Sequence, residues 1–502
     1  MTISAGGASR DVCRGRWMSR LREDVLTLVV CWSQSGDHLG EVLRVFPDAP
    51  RSGWIFGSDE STAERCALAE DDPFGQAREV ASGRLQLTRI RPGWSEARPL
   101  SNALLLPAEL ELRAHPHGID IQRLGKNRLV TNDGQSVDRV LVRPGETIEL
   151  EDQLLFICSS RPAQLSGPPS DCESHPFGWA DRHGIVGESP AAWRLRESIA
   201  FMAARSGHLL LIGQTGTGKE LVAQAIHALS NRSQRALIAR NAAVFPPGLV
   251  DAELFGNMPN YPNIGSPDRP GLIGQAQGST LFLDEIGELP HDLQAHLLRV
   301  LDSGGEYQRL GESRTRVADI RIIGATARSP EQLRLDFGAR FRLRLDVPGL
   351  DERREDIALV ARHLLTQGAK SDPLTERLFE AKGHGFGITS ALMRFLVSYR
   401  YRAHVRELDA LLWRAIANSN GCLDLPGVIA SSARTNGADS APRRGIAREP
   451  PTASEIRACL ERHGGVQERV WRDLGMSSRY ALKRLIRKYS LHSADALDDP
   501  ET

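Results

Sequence analysis

The residues Gly213, Gln214, Thr215, Gly216, Thr217, Gly218 and Lys219 fit the spacing G-x-x-x-x-G-K, with Glu220 where the generic pattern has Ser or Thr for a magnesium ion. That composition suits phosphate. Glycines let the backbone approach an anion closely, successive N–H groups converge on it, the next helix adds the partial positive charge of its N-terminus, and the lysine reaches the outer phosphates. A second cluster, Thr280-Leu281-Phe282-Leu283-Asp284-Glu285, is an apolar run ending in two carboxylates. There Asp284 would hold magnesium through water and Glu285 would orient an attacking water. A third run, Arg321 to Thr326, ends in a hydroxyl suited to sensing a γ-phosphate. Together the three predict nucleotide hydrolysis with ATP and Mg2+.

These groups need strands and a helix to hold them. Leu209 to Ile212 reads as a buried parallel strand, and Leu221, Val222, Ala225, Ile226 and Leu229 recur at helical spacing just after the loop. At 502 residues and 41% hydrophobic content, the chain predicts roughly three domains. Lys plus Arg and Asp plus Glu both number 63, so any nucleic-acid contact must be local. No apolar run approaches a membrane span and the first residues lack a secretory h-region, which predicts a soluble cytoplasmic protein with no membrane partner. Seven scattered cysteines, none in C-x-x-C spacing, read as reduced thiols.

Residues 22–160 read as a sandwich of antiparallel strands: short apolar runs at Leu26, Leu85, Leu110, Ile119, Val140 and Leu154 alternate with Gly, Pro, Asn and Asp turns. The segment resembles a forkhead-associated domain. In that family a Gly-Arg, a Ser-x-x-His and an Asn-Gly recognise phosphothreonine, which implies a phosphoprotein partner. Here Gly57 precedes Ser58, Ser101 lacks its histidine, and only the stretch Gly125-Lys126-Asn127 to Asn132-Asp133-Gly134 follows the pattern. Loss of the arginine removes a bidentate grip on phosphate. A phosphopeptide reader, a sandwich with another ligand and a self-association module all stay open. Residues 161–184, rich in Pro, Gly, Ser and charge, have the composition of a linker.

Residues 185–421 resemble the AAA+ domain of bacterial enhancer-binding proteins, activators acting on sigma-N. The resemblance rests on GQTGTGKE, on ELFG at Glu253 to Gly256, on GSTLFLDEIGELP at Gly278 to Pro290, on ERREDI at Glu352 to Ile357 and on VREL at Val405 to Leu408. It implies Asp284 and Glu285 as the Walker B pair, Asn241 as the residue that switches the glutamate, Thr326 as first sensor and Arg406 as second. Arg334 and Arg340 fall where the family has arginines acting on a neighbour's nucleotide, which implies a hexameric ring and a partner, RNA polymerase with sigma-N. Two positions depart. The loop motif GAFTGA that grips the sigma factor is replaced by Asn260-Tyr261-Pro262-Asn263-Ile264-Gly265, and the asparagine expected after Thr326 is Ala327.

Residues 422–452 lack periodicity and read as a flexible tether. Residues 453–491 read as three helices, with Gly475 making a turn and Ser477 capping the last. This piece carries nine Arg plus Lys against four Asp plus Glu, a footprint for DNA phosphates. It resembles the Fis-type helix-turn-helix, which implies double-stranded DNA as a partner. Ser478, Arg479 and Tyr480 are candidates for base edges, and Lys483, Arg484 and Arg487 for phosphates. The expected chain is thus multidomain: a β-sandwich, an α/β P-loop domain with helical lid, and a small all-α DNA reader. The expected function is remodelling of a promoter-bound polymerase by an ATPase held on upstream DNA. Two rivals are a DNA-binding regulator using ATP for assembly only and an ATP-driven remodeller outside transcription.

Overall fold

The computed structural model describes residues 24–47, 53–58, 84–100, 105–163, 165, 175–246, 248–302, 304–328, 332–371, 387–418, 422–425 and 456–457. The chain divides into Met1–Ala433 and Arg434–Thr502. In the second unit Ile456 and Arg457 are helical. The six DNA-contact candidates, Ser478 to Arg487, lie outside the described residues, as does Ser101.

Twelve strands form the N-terminal sandwich: β1 (Asp24–Ser33), β2 (Val42–Val45), β3 (Trp54–Phe56), β4 (Leu87–Arg91), β5 (Trp94–Arg98), β6 (Leu110–His115), β7 (Gly118–Arg123), β8 (Leu129–Thr131), β9 (Ser136–Val137), β10 (Arg139–Val142), β11 (Thr147–Leu150) and β12 (Leu154–Pro162). One sheet has the order β5-β4-β2-β1-β12-β11-β8-β9 and the other β10-β7-β6-β3. Leu28, Val30, Phe156, Trp54, Phe56 and Leu112 fill the space between them. The alternate residues of the two central strands, Val29, Cys31, Leu155 and Ile157, are equally buried but belong to a different core. Strands buried on both faces read as continuous apolar runs, and the second face needs a cover.

That cover is the helical lid of the P-loop domain. Its α/β part has a parallel sheet of β13 (Leu209–Ile212), β14 (Ile238–Asn241), β15 (Thr280–Asp284), β18 (Arg321–Thr326) and β19 (Leu343–Asp346), in the order β14-β15-β18-β13-β19, with a small ribbon of β16 (Glu306–Tyr307) and β17 (Arg316–Val317). Helices cover both faces. Leu209, Leu211, Phe282 and Ile323 pack on α1 (Pro190–Ala203) and α2 (Lys219–Ala228), while Leu210, Leu281, Leu283 and Ile322 pack on α3 (Val250–Phe255), α4 (Gly271–Gln275), α5 (His291–Leu301) and α6 (Leu335–Arg340). The lid follows as α7 (Ile357–Ser371), α8 (Ser390–Ser398) and α9 (His404–Ala417). Leu359, Met393 and Leu396 from α7 and α8 join the outward residues of β1 and β12 in one core. Arg394 on α8 donates to Glu149 on β11 at 3.0 Å, and Ser398 donates to Asn132 at 2.7 Å.

Two boundaries differ from expectation. The described part of 161–184 is folded, because its aromatic and charged residues find partners. Arg161 and Pro162 close β12, Phe177 lies under Arg89 and Arg91, Trp179 lies under Arg362, and Gly178 N donates to Glu188 at 2.8 Å. The lid also runs past residue 421: Leu423 is buried and bridges to Ile388 beside Thr389.

Candidate functional site

Strand β13 ends in the loop Gly213 to Gly218, and Lys219 opens α2. Two glycines of the loop take left-handed backbone, Gly216 at φ 81° and Gly218 at φ 95°, where an L side chain is strained. Lys219 is buried; its Nζ donates to the carbonyl oxygens of Gly213 at 2.8 Å and Gln214 at 3.2 Å. It also lies 3.8 Å from Glu285 Oε1. A cavity of about 750 Å3 opens here, lined by Thr215 to Val222, by Asn241, Asp284 and Glu285 from the strand ends, and by Arg353, Val360, His363 and Arg406 from the lid side. That size suits a nucleotide.

Parallel pairing explains why distant residues meet. Asn241 is in register with Asp284 on the neighbouring strand, so both emerge at the carboxyl end of the sheet, where α/β folds bind ligands. Asn241 Oδ1 accepts from Ala243 N at 2.8 Å, capping a short turn. Glu285 takes left-handed backbone at φ 49°, and its carboxylate is held at Oε2 by Ala327 N at 3.2 Å. The backbone of Ala327 thus orients the glutamate at the position lacking the expected asparagine. Thr326 is fully buried, is not among the cavity's lining residues, and accepts at its hydroxyl from Arg328 N. Glu220 lines the exposed edge of the cavity. The oxygen donors present fit magnesium: Asp284 faces the cavity beside the loop's glycines and Thr217, hard oxygen ligands of the kind that ion takes.

His404 was not expected from sequence. It opens α9 beside the VREL motif, and its ring bridges three parts of the domain. Nδ1 accepts from Leu350 N at 3.2 Å, which leaves Nε2 as the donor to Gln214 Oε1 at 3.0 Å. Burial holds its pKa below the ordinary value, consistent with a neutral ring. Beside it, Val405 N donates to Gly216 O at 3.1 Å. The phosphate loop is therefore fastened to the first turn of the helix carrying Arg406.

Arg334 and Arg340 lie elsewhere. Arg334 pairs with Asp336 at 2.9 Å and Arg340 with Asp302 at 3.0 Å, both half exposed around α6, and neither lines the cavity. The loop replacing GAFTGA is pinned at its base by Asn257, whose side chain donates to Met258, Tyr261 and Pro267 carbonyls. At its tip Ile264 is 97% exposed.

At the sandwich's expected recognition end Arg84 donates to the carbonyl oxygens of Ser58 at 3.3 Å and Pro107 at 2.8 Å, and Glu109 lies beside Leu106 and Asn127. Glu109 is buried and accepts from Leu106 N and Asn127 Nδ2, each at 2.8 Å.

The profile of the Sigma-54 interaction domain family matches residues 185–347. Over 321 residues the chain is 34% identical to the transcriptional regulatory protein ZraR of Escherichia coli (strain K12), covering 61% of this chain and 69% of that protein. The chain belongs to the sigma-54-dependent transcriptional regulators. The Nif-specific regulatory protein of Azotobacter vinelandii is 35% identical over 315 residues, 60% of this chain and 58% of that protein. The matched span of the family profile takes in the phosphate loop, both carboxylates, the loop at Asn260 to Gly265 and both arginines around α6. Among the described residues, no helix is long and apolar enough to cross a membrane.

Proposed function

We propose that this regulator hydrolyses ATP at the cavity beneath the lid and uses the work to remodel sigma-54 polymerase from a site on upstream double-stranded DNA. The observation that carries the reading is the convergence of Lys219, Asp284 and Glu285 on one cavity fastened to the lid. Phosphate binding exchanges the loop carbonyls at Lys219 Nζ for phosphate oxygens and draws Nζ from Glu285. Glu285, held at Oε2 by Ala327 N–H, then orients water with its other oxygen. Asp284 would hold the magnesium, which supplies charge neutralisation at the phosphates. Asn241, adjacent in register, would adjust the glutamate, and Thr326 with Arg406 would report the γ-phosphate. Arg334 and Arg340, which do not line their own chain's cavity, suit a neighbour's nucleotide in a homo-oligomeric ring, where a planar cation offsets transition-state charge.

The second reading, ATP used for assembly alone, draws on the loop at Asn260 to Gly265. Its tip presents Ile264, and Pro262 and Asn263 stand in the motif's apical positions. One pair of assays separates the readings: ATP turnover, and open-complex formation on a sigma-54 promoter. The first reading requires both, each abolished by Lys219→Ala. Normal turnover with no open complex favours the second, and no turnover refutes the first.

A further inference from the structure

The joint between sandwich and lid encloses a second cavity, of about 370 Å3, apart from the nucleotide site. The sandwich supplies Trp32, Ser33, Gln34 and Leu39 among others; α7 supplies Ala358 and Arg362; Ile388, Met393 and Cys422 also line it. Its volume lies within the range of small-molecule sites.

Two polar features distinguish it from a packing defect. Ser33 is only 6% exposed, yet its hydroxyl has no hydrogen-bond partner among the described residues. A buried hydroxyl without a partner costs free energy that a ligand's polar group would recover. Arg362 is the only charged side chain among the described lining residues. It donates to Gly178 O at 2.6 Å and lies 4.6 Å from the Trp179 ring, so it is held in place before any ligand arrives. One fixed cation, one unsatisfied hydroxyl and walls of Trp32, Leu39, Ile388 and Met393 select an anion with an apolar body.

Arg362 and Ala358 sit on α7, whose Val360, His363 and Leu364 line the nucleotide cavity. One helix therefore walls both cavities. We propose that the joint cavity binds a small carboxylate with an apolar body, and that its occupancy alters nucleotide affinity through α7.

The test uses the full chain and benzoate as probe, with benzylamine as its cationic counterpart. Calorimetry without nucleotide should show millimolar or tighter binding of benzoate and none of benzylamine. Ser33→Ala should weaken benzoate roughly 10-fold, the loss of one hydrogen bond to a charged group. Met393→Trp, which fills the cavity, should abolish it. Benzoate should change the dissociation constant of fluorescent ADP by roughly 5-fold or more in the parent protein and leave it unchanged in Met393→Trp. Absence of benzoate heat, equal binding of benzylamine, or unchanged binding in Met393→Trp overturns the site. Binding with no change in ADP affinity overturns the coupling. Because the calorimetry omits nucleotide, its result stands apart from the ATPase reading.

Discussion

Replacing Gly216 and Gly218 one at a time by alanine separates two things that glycines do in this loop. Both residues take left-handed backbone, which costs an alanine about 1–2 kcal/mol. A Cβ on Gly218 would meet nothing within 4 Å, so strain is its whole penalty in the nucleotide-free protein. On Gly216 a Cβ would lie 2.1 Å from the carbonyl oxygen of Ala403, a backbone atom at the start of α9. The lid must then move away, and the Val405 N–H to Gly216 O hydrogen bond is lost with it, worth about 1 kcal/mol. Gly216→Ala should therefore destabilise by about 3 kcal/mol and Gly218→Ala by about 1–2 kcal/mol. Urea unfolding without nucleotide, followed through the P-loop unit, measures the difference. Equal midpoints for the two variants would refute the claim that the loop is fastened to the lid.

Glu285→Gln keeps an oxygen to accept from Ala327 N–H but removes the carboxylate, so ADP binding should persist while turnover falls at least about 100-fold; a turnover assay beside an ADP titration decides. Asp356 is fully buried and accepts from Glu188 N at 2.8 Å, Ser189 N at 2.9 Å and the Ser189 hydroxyl. Asp356→Ala should cost about 3–5 kcal/mol, read as a shift in thermal midpoint, and a shift near zero would disprove its role at the start of α1. His208 accepts from Ile322 N at 2.9 Å, and burial, helped by Arg321 and Arg232, pushes its pKa down to about 4. Because the folded pKa lies below the unfolded one, its contribution is full above the ordinary histidine range and is lost as pH falls from about 6.5 to about 4. That loss is about 3 kcal/mol. His208→Gln should flatten the pH dependence of the urea midpoint over that window.

The nucleotide end was legible because its chemistry is local. A glycine-rich loop, a strand ending at Asp284 just before Glu285, and the helix opened by Lys219 are each contiguous in sequence, and each forms where expected. His404 escaped because its role depends on meeting Gln214 and Leu350 across the fold, and nothing in its own neighbourhood marks it. The described part of residues 161–184 departs from its linker composition for a related reason. Pro and Gly composition describes what a segment does alone, whereas Phe177 and Trp179 are anchored by arginines at Arg89, Arg91 and Arg362, distant in sequence.

The run LTLVVC in β1 held a clue about how the sandwich works. A half-exposed strand would alternate apolar with polar, yet Leu28 and Val30 enter the sandwich core while Val29 and Cys31 enter the lid core. β12 divides the same way between Phe156 and Ile157. A domain tethered by a loose linker has no reason to bury both faces of its central strands. The sandwich is instead built onto the lid through shared cores and the Arg394–Glu149 pair. Any ligand or partner that shifts these strands must strain α7 and α8, and α7 supplies Val360 and His363 to the nucleotide cavity. Communication between the two domains therefore requires a repacking of one interface rather than the capture and release of a swinging module.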